Sequence, residues 1–491
     1  MHTVPATRVR TANRSAIRQD AAFVLYWMVA ARRVRSNFAL QHAAAHAAAL
    51  GRPLVVLEAL RCGYRWASDR LHRFVIEGMA DNERALAGRG VTYLPYVEPA
   101  HGEGQGLLEA LAAHACVVVT DAYPAFFLPR MIESAAARLP VSLDVVDSNG
   151  LLPLAATDVA FPSAYAFRRV LQARLPAHLD ETPAPDPLEG VTLPALAGLP
   201  AEVLRRWPAA PLGGGVGETP DLGRLPIDHS VAPVEGVSGG SRAGRRVLER
   251  FVAQRLPHYA SRRNDPDPER EVGSGLSPYL HFGHVGAHEV FSAVAATEGW
   301  SDERLGRSAA GKRAGWWGMS EPAEAFLDQL VTWRELGFTF CAARDDHEEY
   351  DSLPPWARAT LERHAGDPRP RSYTPESLDA AETHDPIWNA AQRQLRRRGT
   401  IHNYLRMLWG KKILEWSPSP RAALETMIEL NNRYALDGRD PNSSSGILWC
   451  LGRFDRPWGP ERPIFGTVRY MSSDNTARKL DLRAYLEANR A

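Results

Sequence analysis

The chain has 491 residues, of which 45% are hydrophobic and 23% are charged, so it can bury several domain cores and is not a disordered polypeptide. Its 58 basic and 57 acidic residues nearly cancel, which excludes a uniformly basic surface and leaves only local ones for nucleic acid. No apolar run approaches the ~18 residues of a transmembrane helix, and the four cysteines form no CxxC pair. We therefore predict a multi-domain protein of the reducing cytoplasm, without a membrane span, a disulfide framework or a metal site.

Residues 1–20 are basic and lack the apolar core of a secretory signal, so they are interpreted as a flexible lead-in. Over residues 21–180, short apolar runs alternate with helical stretches, of which one ends at Gly51 as a helix C-cap does. The runs that predict buried parallel strands are 23–29, 53–60, 91–97, 116–123 and 141–148. This alternation predicts a doubly wound, Rossmann-like α/β domain.

Domains of this type bind ligands at the carboxyl ends of their strands. The chain has neither GxGxxG after its first strand nor GxxxxGK[ST], which disfavours the common NAD and ATP enzymes. Residues 181–242 are dense in Pro and Gly and predict a surface connector. Residues 243–491 have the periodicity of an all-α domain, with an irregular stretch at 297–320 that we interpret as an exposed insertion.

Ten of the 13 tryptophans lie at or beyond Trp300, in the predicted helical domain. Trp409 and Trp416 are seven residues apart, so both rings lie on one helix face, ~10 Å apart along the axis. Trp388 lies on the preceding predicted helix. A helical core accounts for each of these side chains singly, and a role as stacking surface or electron carrier is the alternative.

Charged and small residues mark further candidate positions in this domain. Arg406 lies in an apolar helix and requires a carboxylate partner, for which Asp437 in a DG turn is the candidate. Residues 273–278 precede a helix with backbone N–H groups and hydroxyls that suit phosphate, although a plain N-cap explains Ser277 equally well. The basic residues of 393–398 and 411–412 suit either DNA phosphates or a solvated helix face.

Several of these segments, in collinear order, resemble the photolyase/cryptochrome flavoprotein family, and most closely its class II cyclobutane-pyrimidine-dimer photolyases. The segments are LSPYLHFG (276–283), FLDQLVTWREL (326–336), YDSLPPWARATLERHAGD (350–367), THDPIWNAAQ (383–392), IHNYLRMLWGKKILEW (401–416), LNNRYALDGRDPN (430–442) and WGPERPIFGTVRYM (458–471), with a weaker likeness at 26–40. The resemblance implies an α/β antenna domain, a connector and an all-α domain that binds FAD, which agrees with the architecture predicted above.

The resemblance also implies roles for individual residues. FAD would be bound by Tyr259, Arg263, Ser274, Gly275, Leu276, Ser277, Arg406, Asn431, Asp437 and Arg439. Within this set, Arg406 and Asp437 would form a salt bridge beside the isoalloxazine, and Asn431 would face flavin N5. Electrons would reach the flavin through Trp409, Trp388 and Trp416, in that order outward to solvent. The lesion would be bound by Gln329, Trp333, Tyr404, Met407, Trp449 and Arg469.

The implied activity is light-driven repair of cyclobutane pyrimidine dimers in DNA by a monomeric enzyme. A second antenna chromophore, deazaflavin or folate, has no decisive motif in the front domain. Departures from the family pattern lie near the lesion and the flavin: Gln329 replaces a Glu, Asn432 replaces an Asp, and RELGFTFC stands at 334–341. A cryptochrome-like photoreceptor without repair activity is therefore the alternative, and repair of another photoproduct, with His402 as the nearby histidine, is a third. The retained pair Trp333 and Trp449 favours the enzyme.

Overall fold

The computed structural model describes residues 3–212 and 220–490, so part of the predicted connector, residues 213–219, lies outside the described residues. The chain divides into two compact units, each built from separate segments. The first unit comprises Met1–Ala156, Ala177–Leu248 and Leu276–Ala293, and the second comprises Thr157–Pro176, Glu249–Gly275 and Val294–Ala491. The units therefore differ from the contiguous domains 21–180 and 243–491, because two segments pair with distant parts of the chain. In the second unit, Arg168 forms a buried ion pair of 2.9 Å with Asp328; in the first, Arg33 Nη1 donates to the Gly283 carbonyl at 3.0 Å.

A six-stranded sheet with the order β1-β6-β5-β2-β3-β4 forms the first unit's centre. Its strands are β1 Val9–Thr11, β2 Phe23–Met28, β3 Leu54–Leu60, β4 Val91–Val97, β5 Ala115–Asp121 and β6 Leu143–Val146. All neighbours pair in parallel except β1, which is antiparallel to β6. The strand order reverses between β2 and β5, as in doubly wound sheets. The predicted α/β fold and its five apolar strands are confirmed.

The amino-terminal segment belongs to this sheet, so the prediction of a flexible lead-in over 1–20 is wrong for the part around β1. Arg8, directly before β1, is only 2% exposed. Its guanidinium donates to the carbonyls of Gly150 and Leu151 at 3.1 and 2.7 Å. A strand of three residues that pairs with an edge far along the chain has no periodicity of its own, and the sequence pattern therefore did not predict it.

Helices surround the sheet and form the second unit. The first ten are α1 Phe38–Leu50, α2 Asp69–Leu86, α3 Leu107–Ala112, α4 Leu128–Arg138, α5 Ala164–Arg174, α6 Ala201–Arg206, α7 Ser241–Arg250, α8 Tyr259–Arg262, α9 Ser277–His281 and α10 Ala287–Thr297. The remainder are α11 Glu321–Leu327, α12 Arg334–Ala343, α13 Pro355–Arg363, α14 Pro375–Asp379, α15 Pro386–Arg398, α16 Asn403–Trp416, α17 Pro420–Tyr434, α18 Pro441–Cys450, α19 Ser473–Lys479 and α20 Arg483–Ala488. The predicted C-cap of α1 is confirmed, since Gly51 has φ +62°.

The second unit comprises α5, α8 and α11–α20, and its described residues contain no strand, which confirms the predicted all-helical region. Two π-helical segments, Phe251–Arg255 and Asp328–Trp333, interrupt its helices. The stretch 297–320 is not simply an exposed insertion, because Trp316 and Trp317 are 4% and 6% exposed. Across the residues that the structure describes, no helix combines the length and apolarity that crossing a bilayer demands.

Gly337 lies in the segment RELGFTFC (334–341), which differs from the family pattern, and packing explains why this position has no side chain. A Cβ at this position would lie 2.9 Å from the Pro441 carbonyl oxygen and 3.0 Å from backbone atoms of Asn442. Real Cβ atoms essentially never show the first distance and seldom show the second, so the close approach of α12 to the start of α18 requires a position 337 without a side chain.

Candidate functional site

The three tryptophans predicted to carry electrons form one buried cluster between α15 and α16. Trp409 Nε1 donates to Gln392 Oε1 at 2.9 Å, and Trp388 Nε1 donates to the Trp409 carbonyl at 3.0 Å. The rings of Trp388 and Trp416 pack edge to face with centroids 5.5 Å apart. All three side chains are at most 2% exposed. The cluster therefore places three buried indole side chains in contact, with Trp388 touching both Trp409 and Trp416.

Trp416 does not end this cluster at solvent, and the prediction of an indole path that opens there is wrong. Its side chain is 2% exposed, because two rings cover it: Tyr373 at a centroid distance of 5.3 Å and His384 at 5.5 Å. The Tyr373 hydroxyl and His384 Nδ1 share a hydrogen bond of 2.6 Å. Both covering residues lie far before Trp416 in sequence, so helical spacing could not reveal them.

Arg406 and Asp437, predicted as partners, form an ion pair of 3.0 Å between Nη2 and Oδ1. The side chains are 20% and 13% exposed, so the pair lies at the edge of the interior rather than in water. Arg406 Nε is buried and has no hydrogen-bond partner among the described residues. The guanidinium is thus fixed by Asp437 and retains one donor for another group.

The loop after α17 is held by side-chain amides. Asn431 Nδ2 donates to Ser443 Oγ at 2.8 Å and to Asn432 Oδ1 at 3.1 Å. Asn432 Oδ1 also accepts from the Arg439 backbone N–H at 2.9 Å, and Arg439 has a left-handed φ of +65°. Because the Asn431 donor group is engaged, its Oδ1 is the part that can accept a hydrogen bond from a ligand. Asn432, one of the departures from the family pattern, keeps the acceptor that shapes this turn.

Arg439 was expected to contact the cofactor, but its guanidinium is engaged with the protein. It is 3% exposed, and Nη1 donates to the Asn432 carbonyl at 2.7 Å. Its visible role is to stabilise the turn that carries Asp437.

The residues predicted to bind the lesion are neither fully buried nor fully exposed, as expected for the wall of a cleft. All six members of this set are partly exposed: Gln329, Trp333, Tyr404, Met407, Trp449 and Arg469. Gln329 and Trp333 lie in the π-helical segment before α12, α12 packs on α18, and α18 packs on α16. Single π-turns within helices occur often at functional sites.

Two of the predicted lesion residues belong to a ladder of rings and cations. The Lys411 ammonium lies 4.9 Å from the Trp449 ring centroid, and the Arg469 guanidinium lies 5.5 Å from the same ring. Arg469 also lies 4.0 Å from the Trp458 ring and pairs with Asp455 at 3.0 Å. Two cations therefore contact the Trp449 ring and restrict its position. Arg469 in turn is positioned by the Trp449 and Trp458 rings and by the Asp455 carboxylate.

The basic residues 411–412 do not form a phosphate-binding surface, which corrects one alternative for them. Lys411 is 0% exposed and donates to the Cys450 carbonyl at 2.7 Å, while Lys412 is 7% exposed and pairs with Glu415. Arg393 and Arg397 donate to backbone carbonyls near the carboxyl end of the chain. Lys411 and Lys412 thus stabilise the helical unit from its interior, whereas Arg396, Arg397 and Arg398 are exposed to solvent.

The segment predicted to contact the flavin phosphates is divided between the two units at Gly275, so each part is described by itself. In the second unit, Arg263 lies 5.9 Å from the Tyr259 ring, and Tyr259 packs on Phe326 with a centroid distance of 5.5 Å. Burial raises the pKa of Tyr259 above its ordinary value. In the first unit, α9 begins at Ser277 itself, with Leu276 in the N-cap position. Ser277 is therefore not the N-cap, which removes that explanation for it.

His402, named for another photoproduct, lies at the N-cap of α16. Burial lowers its pKa to about 4, which hydrogen bonds to the backbone of Arg263 and Asp265 only partly oppose. The imidazole is neutral near pH 7, and its Nδ1 is buried without a partner in the described protein.

A cavity of about 810 Å³ opens at the carboxyl ends of β2, β3 and β4 in the first unit. Apolar and aromatic walls dominate it, and its charged lining residues are Arg32, Arg61, Glu98, Glu109, Arg130 and Arg138. Glu98 is anchored there by backbone N–H groups of Cys62, Gly102 and Gly104 at 2.9–3.1 Å. The strand order reverses beside this place, which is where doubly wound sheets bind ligands. Sequence analysis predicted the edge of the sheet but not these residues, because no motif spans them.

No family model matches the chain. The deoxyribodipyrimidine photo-lyase of Methanothermobacter thermautotrophicus is 32% identical over 489 residues, which cover 99% of this chain and 98% of that protein. The chain belongs to the deoxyribodipyrimidine photo-lyase family. Other photo-lyases of this name, from Potorous tridactylus and Oryza sativa subsp. japonica, are each 32% identical and cover 95% and 94% of this chain. The resemblance predicted from the motifs is confirmed.

Solved structures give the same fold for this photo-lyase. A class III photolyase from Agrobacterium tumefaciens superposes with a TM-score of 0.66 at 16% identity, covering 96% of this chain and 86% of that one. A cryptochrome from Synechocystis sp. PCC6803 superposes with a TM-score of 0.65 at 15% identity, covering 95% and 88%. The photolyase and cryptochrome folds are thus equally close, and the fold alone does not distinguish the two activities.

Membership of this family implies a flavin cofactor, and the photo-lyase chain has atoms that fit one. Buried polar groups ordinarily have hydrogen-bond partners, yet Gln329 Nε2, His402 Nδ1 and Arg406 Nε have none within the described residues. All three belong to the helical unit, and two lie at positions predicted to face the flavin or the lesion. Ligand groups that accept hydrogen bonds would satisfy Gln329 Nε2 and Arg406 Nε.

Proposed function

We propose that this photo-lyase repairs cyclobutane pyrimidine dimers in DNA, driven by light. The observation that carries the proposal is the relationship to named deoxyribodipyrimidine photo-lyases along nearly the entire chain. The half-buried pair Trp333 and Trp449 supports it, because a repair enzyme needs aromatic faces for bases that leave the helix stack. Photolyases are among the enzymes that extrude their target nucleotide from the duplex, and each stacked base contributes on the order of 1–3 kcal/mol.

When bound and reduced, FAD would supply the light-driven one-electron chemistry that cleavage of the cyclobutane ring requires. The protein's part is to hold groups around it. We propose that Tyr259, Arg263 and the segment 274–277 bind the cofactor's phosphates and sugar. Arg406 donates from a guanidinium that Asp437 holds in place, and Asn431 presents its Oδ1 because its NH₂ group is engaged elsewhere.

The buried tryptophan cluster is the proposed route by which electrons restore the reduced cofactor. The electron passes inward from Trp416 through Trp388 to Trp409 and then to the flavin, and the rings of Tyr373 and His384 lie against Trp416 at the outer end of the cluster. Burial keeps water away from the indoles, so each radical cation is solvated only by protein dipoles.

On the lesion side, Gln329 replaces the carboxylic acid of the family pattern. Its Nε2 is an unpaired donor that can reach a pyrimidine carbonyl, and the neutral amide supplies no charge. Arg469, 39% exposed and paired with Asp455, is the proposed contact to DNA. These residues can bind a flipped dimer by stacking and hydrogen bonding without a carboxylate.

We further propose that the 810 Å³ cavity of the first unit holds a second, light-collecting chromophore. Its arginines suit an anionic ligand, and both a deazaflavin and a folate carry anionic groups. Absorption spectra of the purified protein distinguish the two. A cytoplasmic location and a monomeric state stay predictions.

The experiment is repair of a defined substrate. Chemically reduced, FAD-containing protein is incubated with an oligonucleotide that carries one thymine dimer, under blue light and in the dark, and restored thymines are quantified. Light-dependent restoration supports the proposal. Flavin photoreduction without any restored thymine supports a photoreceptor instead, and restoration only of a (6-4) photoproduct supports the third alternative.

A further inference from the structure

His42, His46 and Asp144 converge on one point of the first unit. His42 and His46 are one helical turn apart on α1, so their side chains lie on the same face. Their Nε2 atoms are 3.1 Å from each other and 3.0 and 3.2 Å from Asp144 Oδ2 on β6. Hence three potential ligand atoms form a nearly equilateral triangle, and each belongs to a residue type that binds transition metals.

The triangle has the dimensions of a metal site. With metal–ligand distances of ~2.0–2.2 Å, ligand atoms on adjacent corners of a tetrahedral or octahedral site are roughly 3.0–3.4 Å apart. An ion placed ~2.1 Å from all three atoms would lie about 1 Å above their plane. Hydrogen bonds alone fit less well, because two imidazole N–H protons bridge at most two of the three edges.

The surroundings of the triangle also resemble those of a metal site. The other carboxylate oxygen, Asp144 Oδ1, accepts from Thr11 Oγ1 at 2.8 Å, and Thr11 lies directly opposite Asp144 in the β1–β6 ladder. Hydrogen bonds of this kind orient metal-bound carboxylates. The side chains of His42, His46 and Asp144 are 19%, 21% and 8% exposed, so water can occupy a remaining coordination position.

We propose that His42, His46 and Asp144 bind one divalent first-row transition-metal ion, such as Zn²⁺, which fastens α1 to the sheet through β6 and the edge strand β1. The site is separate from the flavin and lesion residues and does not depend on the proposed repair activity. The proposal departs from the prediction that the chain has no metal site. That prediction considered cysteine spacing, whereas the sequence signal is the HAAAH motif at 42–46, whose carboxylate partner lies nearly a hundred residues later.

The test uses the full chain, stripped with a chelator and titrated with Zn²⁺ and, as a spectroscopic probe, Co²⁺. We expect one ion per chain, a Co²⁺ d–d absorption band whose intensity reports the coordination geometry, and a higher unfolding midpoint in the presence of Zn²⁺. His46→Ala and Asp144→Asn should abolish all three effects. Thr11→Val should weaken binding by about tenfold, because it removes only the orienting hydrogen bond.

The matched control is His114→Ala, since His114 is a 44% exposed histidine that also lies near a carboxylate, Glu202. This variant should bind as the unchanged chain does. Circular dichroism without metal establishes that each variant is folded. If His46→Ala does not fold, the more conservative Asp144→Asn alone tests the loss of metal binding. Absence of one-to-one metal binding by the unchanged chain overturns the proposal. The proposal is also overturned if the folded His46→Ala and Asp144→Asn variants bind the metal as tightly as the unchanged chain.

Discussion

Replacement of Trp409 by Phe separates the electron-transfer role of this side chain from its structural role. Trp409 Nε1 donates to Gln392 Oε1 at 2.9 Å, and Gln392 is 0% exposed. Phe keeps a ring on α16 but cannot donate, so a buried amide oxygen loses its partner. Leaving a buried polar atom unsatisfied costs about 1–3 kcal/mol of unfolding free energy. The protein should therefore stay folded and bind FAD, but photoreduction of the flavin should be lost.

Trp316→Phe is the matched control. Trp316 is 4% exposed and lies in the same unit, and its Nε1 has no hydrogen-bond partner in the described residues. Its replacement removes an unpaired donor, so the hydrogen-bond penalty is absent and only packing changes. Unfolding free energies from urea titration, followed by circular dichroism, should therefore be lower for Trp409→Phe than for Trp316→Phe by about 1–3 kcal/mol.

The assay illuminates the oxidised, FAD-containing protein with blue light under anaerobic conditions and in the presence of an external reductant. Flavin content is measured first, so that a lost cofactor is not mistaken for a lost electron path. Trp316→Phe should reduce its flavin as the unchanged chain does. Photoreduction at the unchanged rate in Trp409→Phe, or an equal loss in both variants, would refute the reasoning.

Three further substitutions test the site. Gln329→Glu replaces an unpaired buried donor by the acid of the family pattern and should preserve or raise dimer repair per bound FAD in the oligonucleotide assay. Asp437→Asn removes the carboxylate that holds Arg406, and should lower both the FAD-to-protein ratio and the unfolding free energy, the latter by about 1 kcal/mol because the pair is partly exposed. Burial lowers the pKa of Lys411 from 10.5 to about 8, so from pH 8 to 10.5 the unfolded chain binds more protons than the folded one. Its contribution to stability therefore rises with pH, and the stability advantage of Lys411→Met should shrink by up to about 3 kcal/mol between pH 7.5 and 10.5.

Each of these expectations has a result that contradicts it. A fall in repair by Gln329→Glu would show that the cavity depends on the amide. Asp351→Asn is the control for the ion pair, because Asp351 also pairs with arginines but is 59% exposed; equal FAD loss in both variants would show that the Arg406 pair has no special role. If the difference in unfolding free energy between Lys411→Met and the unchanged chain is constant with pH, the claim that burial lowers the pKa of Lys411 is refuted.

The local sequence pattern predicted much of the fold, because the residues that a helix or strand buries recur at the spacing of that element. Continuous apolar runs marked the five parallel strands, and the strands β2–β6 lie within or next to those runs. The pairing of Arg406 with Asp437 was also predictable, since a charge in an apolar helix needs a carboxylate. The order of the indoles came from the family resemblance and stays a prediction, while the structure shows that Trp388 contacts both Trp409 and Trp416.

Other features depend on which distant residues meet, and no local pattern records that. The sequence pattern around Lys411 and Lys412 is also typical of a solvated helix face, but the packing of α16 buries both side chains. Trp416 is covered by rings from Tyr373 and His384, which precede it by more than thirty residues. The unpaired Nε2 of Gln329 is visible only when all its neighbours are in place.

The sequence by itself determined the two kinds of architecture, the family and the residue types of the proposed site. These follow from periodicity and from motifs in which every residue lies close to the next along the chain. Only the tertiary structure decided that β1 joins the sheet, that the cavity lies at the ends of β2–β4, and that Asp144 meets two histidines of α1. The physical reason is that side-chain contacts across a core depend on three-dimensional packing, whereas a hydrophobic period depends only on the local backbone geometry.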